Sequence, residues 1–172
     1  MASNGTKATA LLSTWKRSVS TALARCTAAL SRPALSSRLS LTKSDGTRVD
    51  KDTIGAWGEH LAAQWLRKHH RKVLYQNFRA SGGGEVDIVA RHKKLLTFIE
   101  VKTRTSTVRG RPAEAVTADK ERLILRGASA WLRMLDNTTN LPTRCDIVEV
   151  ILRHGEKAEI TIIEGAFRVD SP

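Results

Sequence analysis

Residues 82–104 read GGGEVDIVARHKKLLTFIEVKTR, and this stretch decides the fold of the chain. Two runs rich in Val, Ile, Leu and Phe, separated by a short basic turn, predict a β-hairpin. Acidic residues are poor strand formers, and charges are rarely buried without a partner or a metal. Yet Asp87 interrupts the first run and Glu100 the second, with Lys102 two residues further on. These three charges need a physical explanation.

A turn with an even number of residues, centred on Lys93-Lys94, would pair Asp87 directly with Glu100. Directly opposed residues have Cβ atoms about 4.5–5.5 Å apart, and Lys102 shares the face of Glu100. Two carboxylates that close repel each other unless a divalent cation or an ammonium group lies between them. The arrangement Asp…Glu-x-Lys therefore predicts a hard-metal site with an adjacent cation, which is suited to hydrolysing a phosphodiester.

An ordinary hairpin whose charges form an ion-paired solvent face is the alternative interpretation, since charge pairs across strands are common. The neighbours of the acidic residues are apolar, however: Ile88 beside Asp87, and Ile99 and Val101 around Glu100. Such a pattern favours strands that are covered on both faces. The metal-site interpretation is preferred for that reason.

The charge balance of the 172-residue chain is strongly basic, with 29 Lys and Arg against 17 Asp and Glu and a net charge of +12. This balance predicts a polyanionic partner, nucleic acid rather than a membrane, because no long apolar stretch or lipid-anchor motif occurs. Cys26 and Cys145 stand alone, so neither a disulfide framework nor a zinc site is indicated.

Residues 1–50 differ in composition from the rest of the chain, and the first 44 contain seven basic residues and no acid. We predict a basic Ser/Ala/Arg-rich extension, expected to be disordered, although apolar residues at helical spacing between Leu11 and Leu30 permit an amphipathic helix. Three interpretations stay open: an organelle transit peptide, an arm that adds nonspecific nucleic-acid affinity, or a poorly ordered extension or misassigned start.

Residues 51–172 are predicted to form one α/β domain. Asp52 or Thr53 is expected to cap the first helix, and Thr117 the second, which runs to about Leu135. The predicted order is α-β-β-β-α-β-β, with strands outside the hairpin at 72–80, 145–152 and 159–163.

Two glycines, Gly55 and Gly58, are unusual inside the first helix, where each costs about 1 kcal/mol relative to alanine. They predict a close approach of backbone or substrate to that helix face. Glu59 follows directly and is a candidate site residue, although an isolated helix carboxylate is usually solvated. The segment from Thr105 to Pro112 is predicted to be a mobile loop that faces the substrate.

The ordered set of these motifs resembles the YraN family within the restriction-endonuclease-like PD-(D/E)xK superfamily. The resemblance covers about residues 53–168 and implies a restriction-endonuclease-like core, a mixed central sheet flanked by helices. It is carried by the following residues: Gly58-Glu59, Asn77-x-Arg79, Gly84-Glu85-Val86-Asp87, Glu100-Val101-Lys102-x-Arg104, Ala115-Val116, Lys120, Arg144-x-Asp146 and Ala166-Phe167. Val86 replaces the proline of the superfamily motif, and Ala56 stands where a basic residue is expected.

The resemblance implies that Asp87 and Glu100 hold a metal ion, with Lys102 as the catalytic lysine and Glu59 as an additional helix carboxylate that acts in catalysis and metal binding. Glu85 shares the face of Asp87 and is a further candidate ligand. The nucleic-acid contacts implied by the family motif are Asn77, Arg79, Arg104 and Lys120.

We therefore expect a metal-dependent nuclease that acts on DNA rather than RNA, with branched or damaged DNA as candidate substrates. The alternative is a nucleic-acid-binding protein on a nuclease fold that does not cleave. Oxygen ligands without Cys or His predict Mg²⁺ or Mn²⁺ as the cofactor. The resemblance implies a bacterial cytoplasmic protein, with organelle import as the lesser alternative.

Overall fold

The structure is a computed structural model that describes residues 32–106, 117–135 and 141–167. The chain divides into Met1–Arg32 and Pro33–Pro172, and the fold described below belongs to the second unit. The predicted amphipathic helix near the N-terminus, most of the predicted loop before Pro112 and the Ala115-Val116 motif lie outside the described residues.

The elements follow the predicted order α-β-β-β-α-β-β, which confirms the fold class. They are α1 (Lys51–Lys68), β1 (Lys72–Arg79), β2 (Glu85–His92), β3 (Leu95–Arg104), α2 (Ala118–Arg133), β4 (Thr143–Ile151) and β5 (Glu159–Phe167). The strands form one sheet in the order β1-β2-β3-β4-β5. Only β3 and β4 pair in parallel, and the other neighbours are antiparallel, so the sheet is mixed.

Both faces of the central strands are buried. Alternate residues such as Ile88, Ile99 and Val148 belong to the core cluster that α1 completes with Trp57 and Leu61. The residues between them on the strands, including Val89, Phe98 and Ile147, are buried as well. Helix α2 contacts β2 and β3, and its Trp131 packs edge-on against Phe78 of β1. Charges on β2 and β3 therefore lie in strands covered by helices, as their apolar neighbours predict.

The segment before α1 belongs to the compact unit, which starts at Pro33 rather than at residue 51. Leu39 is only 3% exposed and belongs to the core cluster. Its N–H donates to the carbonyl of Glu156, and its carbonyl accepts from the N–H of Gly155. Gln64 of α1 donates to the carbonyl of Pro33 at 3.2 Å. Residues 33–50 therefore pack onto the domain core, with Leu35, Leu41 and Val49 beside the buried Leu39, although the composition of this segment is polar and basic.

Several element ends differ from the predicted ones. The N-cap of α1 is Asp50, whose carboxylate accepts from the N–H of Thr53 at 2.8 Å, so neither Asp52 nor Thr53 caps the helix. Thr117 caps α2 as predicted. Strand β5 continues to Phe167 because the chain passes through Gly165, at a φ of 66°, and pairs again with Cys145.

Candidate active site

The β2–β3 turn sets the geometry of the candidate site. His92 pairs with Leu95, which leaves Lys93-Lys94 as a two-residue turn, and Lys93 adopts a positive φ of 56° as such tight turns require. The register continues to Ile88 opposite Ile99. One step further along the strands, Asp87 lies beside Glu100, on the face that Lys102 shares.

Asp87 is held by the backbone of the neighbouring strand. Its Oδ2 accepts a hydrogen bond of 2.8 Å from the N–H of Val101. Burial and the negative charge of Glu100 raise the pKa of Asp87 from 3.8 to about 7, against the opposing effects of the Val101 N–H and Lys120. Two carboxylates that share a low-dielectric site cannot both carry a charge without a cost. The site therefore has excess negative charge that a cation would relieve.

Glu100 is the most buried acid of the site, at 2% exposure. Lys102 Nζ donates to its Oε1 at 2.8 Å. Its other oxygen, Oε2, is buried without a hydrogen bond, although Lys120 Nζ lies 3.3 Å away. A buried carboxylate oxygen without a hydrogen bond is costly, and a ligand such as a cation bound at this atom would remove that cost.

Glu59 enters the site from α1. At its neighbour Gly58, a Cβ atom would lie 1.8 Å from the hydroxyl oxygen of Thr103, so only glycine allows α1 to approach β3 this closely. Gly55 has open space around it and does not mark such an approach. Burial raises the pKa of Glu59, and the charge of Glu100 raises it further, while a hydrogen bond with the Asn77 side chain opposes the rise. Glu59 and Glu100 are thus close enough to repel each other.

Lys120, which the family motif placed among the nucleic-acid contacts, lies within the carboxylate cluster. Its ammonium group pairs with Glu85 and also lies 3.3 Å from Glu100. Burial by itself would lower the pKa of Lys120, but the hydrogen bond to Glu85 and the charges of Glu100 and Asp87 raise it. Lys120 therefore stays protonated and neutralises part of the cluster.

The other residues predicted to contact nucleic acid lie around this cluster. Asn77 of β1 is exposed, has a positive φ of 56° and bonds to Glu59. Arg79 has 79% of its side chain exposed and pairs with Glu85 at 3.1 Å. Arg104 is the last residue of β3, and its side chain is partly exposed. The hydrogen bond from Lys120 lowers the pKa of Glu85. Glu85 thus pairs with two cations, Lys120 and Arg79.

One acid near the site is absent from the sequence-based prediction. Glu149 of β4 is 7% exposed and pairs in register with Lys102, so the two side chains share a sheet face. An acid between Val148 and Val150 is the same signal that singled out Asp87, and it was available in the sequence.

A second charged group in β4 lies away from the carboxylates described above and is fully paired. Asp146 is completely buried and accepts from Arg71, from Arg144 and from the N–H of Gly165. Arg71 and Arg144 also pair with Glu164. This network ties the α1–β1 connection to β4 and β5, which gives the Arg144-x-Asp146 motif a structural role.

The candidate ligands suit a hard divalent cation. The available donors are oxygens of Asp87, Glu100 and Glu59, the ligand type that Mg²⁺ and Mn²⁺ prefer. The unbonded Oε2 of Glu100 is an atom that such an ion would satisfy. Within the described residues, no group of three or more His, Cys, Asp or Glu side chains converges as metal ligands. Lys102 and Lys120 compensate Glu100 in this arrangement instead.

A family model matches residues 58–150, which span the site and most of the sheet, and it describes the uncharacterised protein family UPF0102. The chain belongs to this family. It is the YraN family that the motifs indicated, a nuclease-like group of PD-(D/E)xK type. A UPF0102 protein of Syntrophotalea carbinolica is 48% identical over 120 residues, covering 69% of this chain and 94% of the relative.

Two further UPF0102 proteins match this chain at somewhat lower identity. The relative from Geobacter metallireducens is 42% identical and covers 68% of this chain and 93% of its own length. The relative from Caldanaerobacter subterraneus is 41% identical, covering 61% of this chain and 84% of the relative. All three relatives come from bacteria. Among the residues that the structure describes, neither helix has the length and apolar character needed to span a membrane.

Proposed function

We propose that this UPF0102 protein is a metal-dependent endonuclease that hydrolyses DNA phosphodiester bonds. The observation that carries the proposal is the buried Glu100, which shares its site with Asp87, bonds to Lys102 and keeps one oxygen without a hydrogen bond. Branched or damaged DNA is the substrate class that the family resemblance suggests. The bacterial relatives support a cytoplasmic location, where such DNA occurs.

Asp87 and Glu100 would hold the cation, with Glu59 as a third oxygen donor. When bound, Mg²⁺ or Mn²⁺ polarises a phosphate and lowers the pKa of a water molecule. Lys102 orients Glu100 and presents its ammonium group beside the reacting phosphate, where positive charge stabilises the transition state. Lys120 neutralises Glu85 and Glu100, so that a polyanion can approach a site built from acids.

A nuclease assay with the purified full chain tests this proposal. Duplex, single-stranded and four-way-junction DNA are each incubated with Mg²⁺, with Mn²⁺ and with EDTA, alongside the Asp87→Ala variant. We expect cleavage of at least one substrate by the wild type, dependent on the cation and absent in the variant. No cation-dependent cleavage of any of the three would reject the proposal.

A protein that binds nucleic acid without cleaving it is the second candidate function. The specific observation in its favour is that Lys102 and Lys120 already compensate Glu100 without a metal ion. If it applies, Asp87→Ala and Lys102→Ala change DNA affinity in opposite directions, because one removes a negative and the other a positive charge. The wild type then shows no cation-dependent cleavage.

A further inference from the structure

A cluster of exposed cations lies at one end of the sheet, on two segments of the chain. These are residues 67–72, around the α1–β1 connection, and residues 91–94, around the β2–β3 turn. We call it the basic end, and its six members are Arg67, Lys68, Lys72, Arg91, Lys93 and Lys94, all exposed. The two segments are neighbours because Lys72 pairs directly with Arg91. The exposed residues His69 and His70 lie between Lys68 and Lys72 in the sequence. The pairing of β1 with β2 thus brings these positive charges to one end of the sheet.

The basic end has no acidic counterpart within residues 32–106, 117–135 and 141–167. None of its six cations makes an ion pair there. Asp146 and Glu164 contact the same α1–β1 connection, but both form ion pairs with Arg71 and Arg144. By contrast, Lys102, Lys120 and Arg79 at the carboxylate cluster all have acidic partners. Uncompensated like charges destabilise a fold, so a binding role offers the physical reason for the cluster.

The basic end is separate from the candidate active site. Asp87 lies near the start of β2, whereas Lys93 follows its last residue. At about 3.3 Å per residue, the strand between them spans about 20 Å. That length corresponds to about six base pairs of duplex DNA at 3.4 Å each. A duplex that lies along this strand and contacts both places would therefore extend at least about six base pairs from the phosphate that is cleaved.

We propose that the basic end is a second nucleic-acid docking surface, which holds the phosphates of a duplex arm away from the carboxylate site. The regular charge of a phosphate backbone suits a row of exposed Lys and Arg side chains without acids. An anionic membrane also attracts basic clusters, but amphipathic surfaces that bind membranes add apolar side chains that insert beside the cations. The exposed large hydrophobic side chains among the described residues, Met134 and Leu141, lie outside both segments. The inference rests on the proposed function for DNA as the substrate, but it concerns binding and not cleavage.

The test compares two triple variants of the full chain by fluorescence anisotropy, in EDTA, on a labelled duplex of about 30 base pairs, well beyond the required arm length. The first variant is Lys68→Gln, Lys93→Asn and Lys94→Gln, with Asn chosen because it tolerates the positive φ at Lys93. The control removes the same charge at exposed positions elsewhere and consists of Arg48→Gln, Lys51→Gln and Lys157→Gln.

Each lost phosphate contact reduces the slope of log affinity against log salt by about 0.9. We expect the first variant to lose about 2–3 in slope and at least about tenfold in affinity at physiological salt, while the control keeps the wild-type slope. Equal slopes in both variants, or no DNA binding by the wild type, would overturn the inference. So would a first variant that keeps its DNA affinity but loses binding to vesicles containing anionic lipid. Because EDTA is present, a failed nuclease assay leaves this result intact, and a failed docking result leaves the proposed cleavage intact.

Discussion

Replacing Asp87 by Asn should stabilise the metal-free protein at alkaline pH. The folded state raises the pKa of Asp87 from 3.8 to about 7, so the carboxyl binds its proton more tightly in the folded chain than in the unfolded one. Stability contributed in this way is present at low pH and is lost as the pH rises from about 4 through 7. The difference between the two pKa values corresponds to about 4 kcal/mol, which is the full cost of ionising Asp87 in the folded state.

Asn keeps the shape of Asp, and its side-chain oxygen can still accept from the N–H of Val101, but it carries no charge. We expect the variant to exceed the wild type in unfolding free energy by about 2–4 kcal/mol near pH 8 and to match it near pH 4. Urea unfolding in EDTA at several pH values measures this difference. The matched control is Asp52→Asn, the same substitution at an exposed position of α1. A wild type that is equally or more stable than the Asp87→Asn variant near pH 8 would refute the electrostatic account of the site.

Two further predictions concern the scaffold around the site. Gly58→Ala should lower the unfolding free energy by about 1–3 kcal/mol, because its Cβ would lie 1.8 Å from a threonine hydroxyl on β3, whereas Gly55→Ala has open space and should raise it by about 1 kcal/mol. Thermal unfolding compares the two, and a harmless Gly58→Ala would contradict the close packing of α1 on β3. Deleting residues 1–31 should leave the second unit folded, whereas deleting residues 1–44 also removes the buried Leu39 and should cost about 2–5 kcal/mol. Equal melting temperatures of the two truncated chains would show that the segment from residue 32 to residue 44 contributes nothing to the fold.

The hairpin and its register follow from local sequence rules. A two-residue turn at Lys93-Lys94 between two apolar runs fixes the register, because the length of a hairpin loop determines which residues of the two strands pair. The order of the elements follows from the same periodicities, which are strongest in long amphipathic helices such as α2.

The features that the sequence leaves open depend on contacts between distant segments. Lys120 pairs with Glu85, 35 residues earlier, and no local pattern indicates that a lysine in the first turn of α2 will enter a carboxylate cluster. Leu39 lies in a polar, basic segment with Leu35 and Leu41 packed beside it, and its burial comes with hydrogen bonds to the β4–β5 turn at Gly155 and Glu156. Asp50, Asp52 and Thr53 are all good helix caps, so only the backbone geometry selects Asp50.

The central claim, hydrolysis at the Asp87–Glu100–Lys102 site, is tested most directly by measuring cleavage rate and DNA affinity on the same variants. Lys102→Ala removes a cation but no metal ligand, and Asp87→Ala removes a ligand. Lys157→Ala, an exposed cation elsewhere, is the matched control. Single-turnover cleavage with Mg²⁺ or Mn²⁺ gives the rate, and anisotropy in EDTA gives the affinity.

We predict that Lys102→Ala keeps its DNA affinity within a few-fold and loses roughly 10²–10³ in rate, the usual loss for one preorganised electrostatic partner of a transition state. Asp87→Ala should abolish cleavage and bind DNA at least as tightly, because a negative charge leaves a site that faces phosphates. Lys157→Ala should cleave as the wild type does. Equal cation-dependent cleavage by the wild type and Asp87→Ala would contradict the assignment of the site.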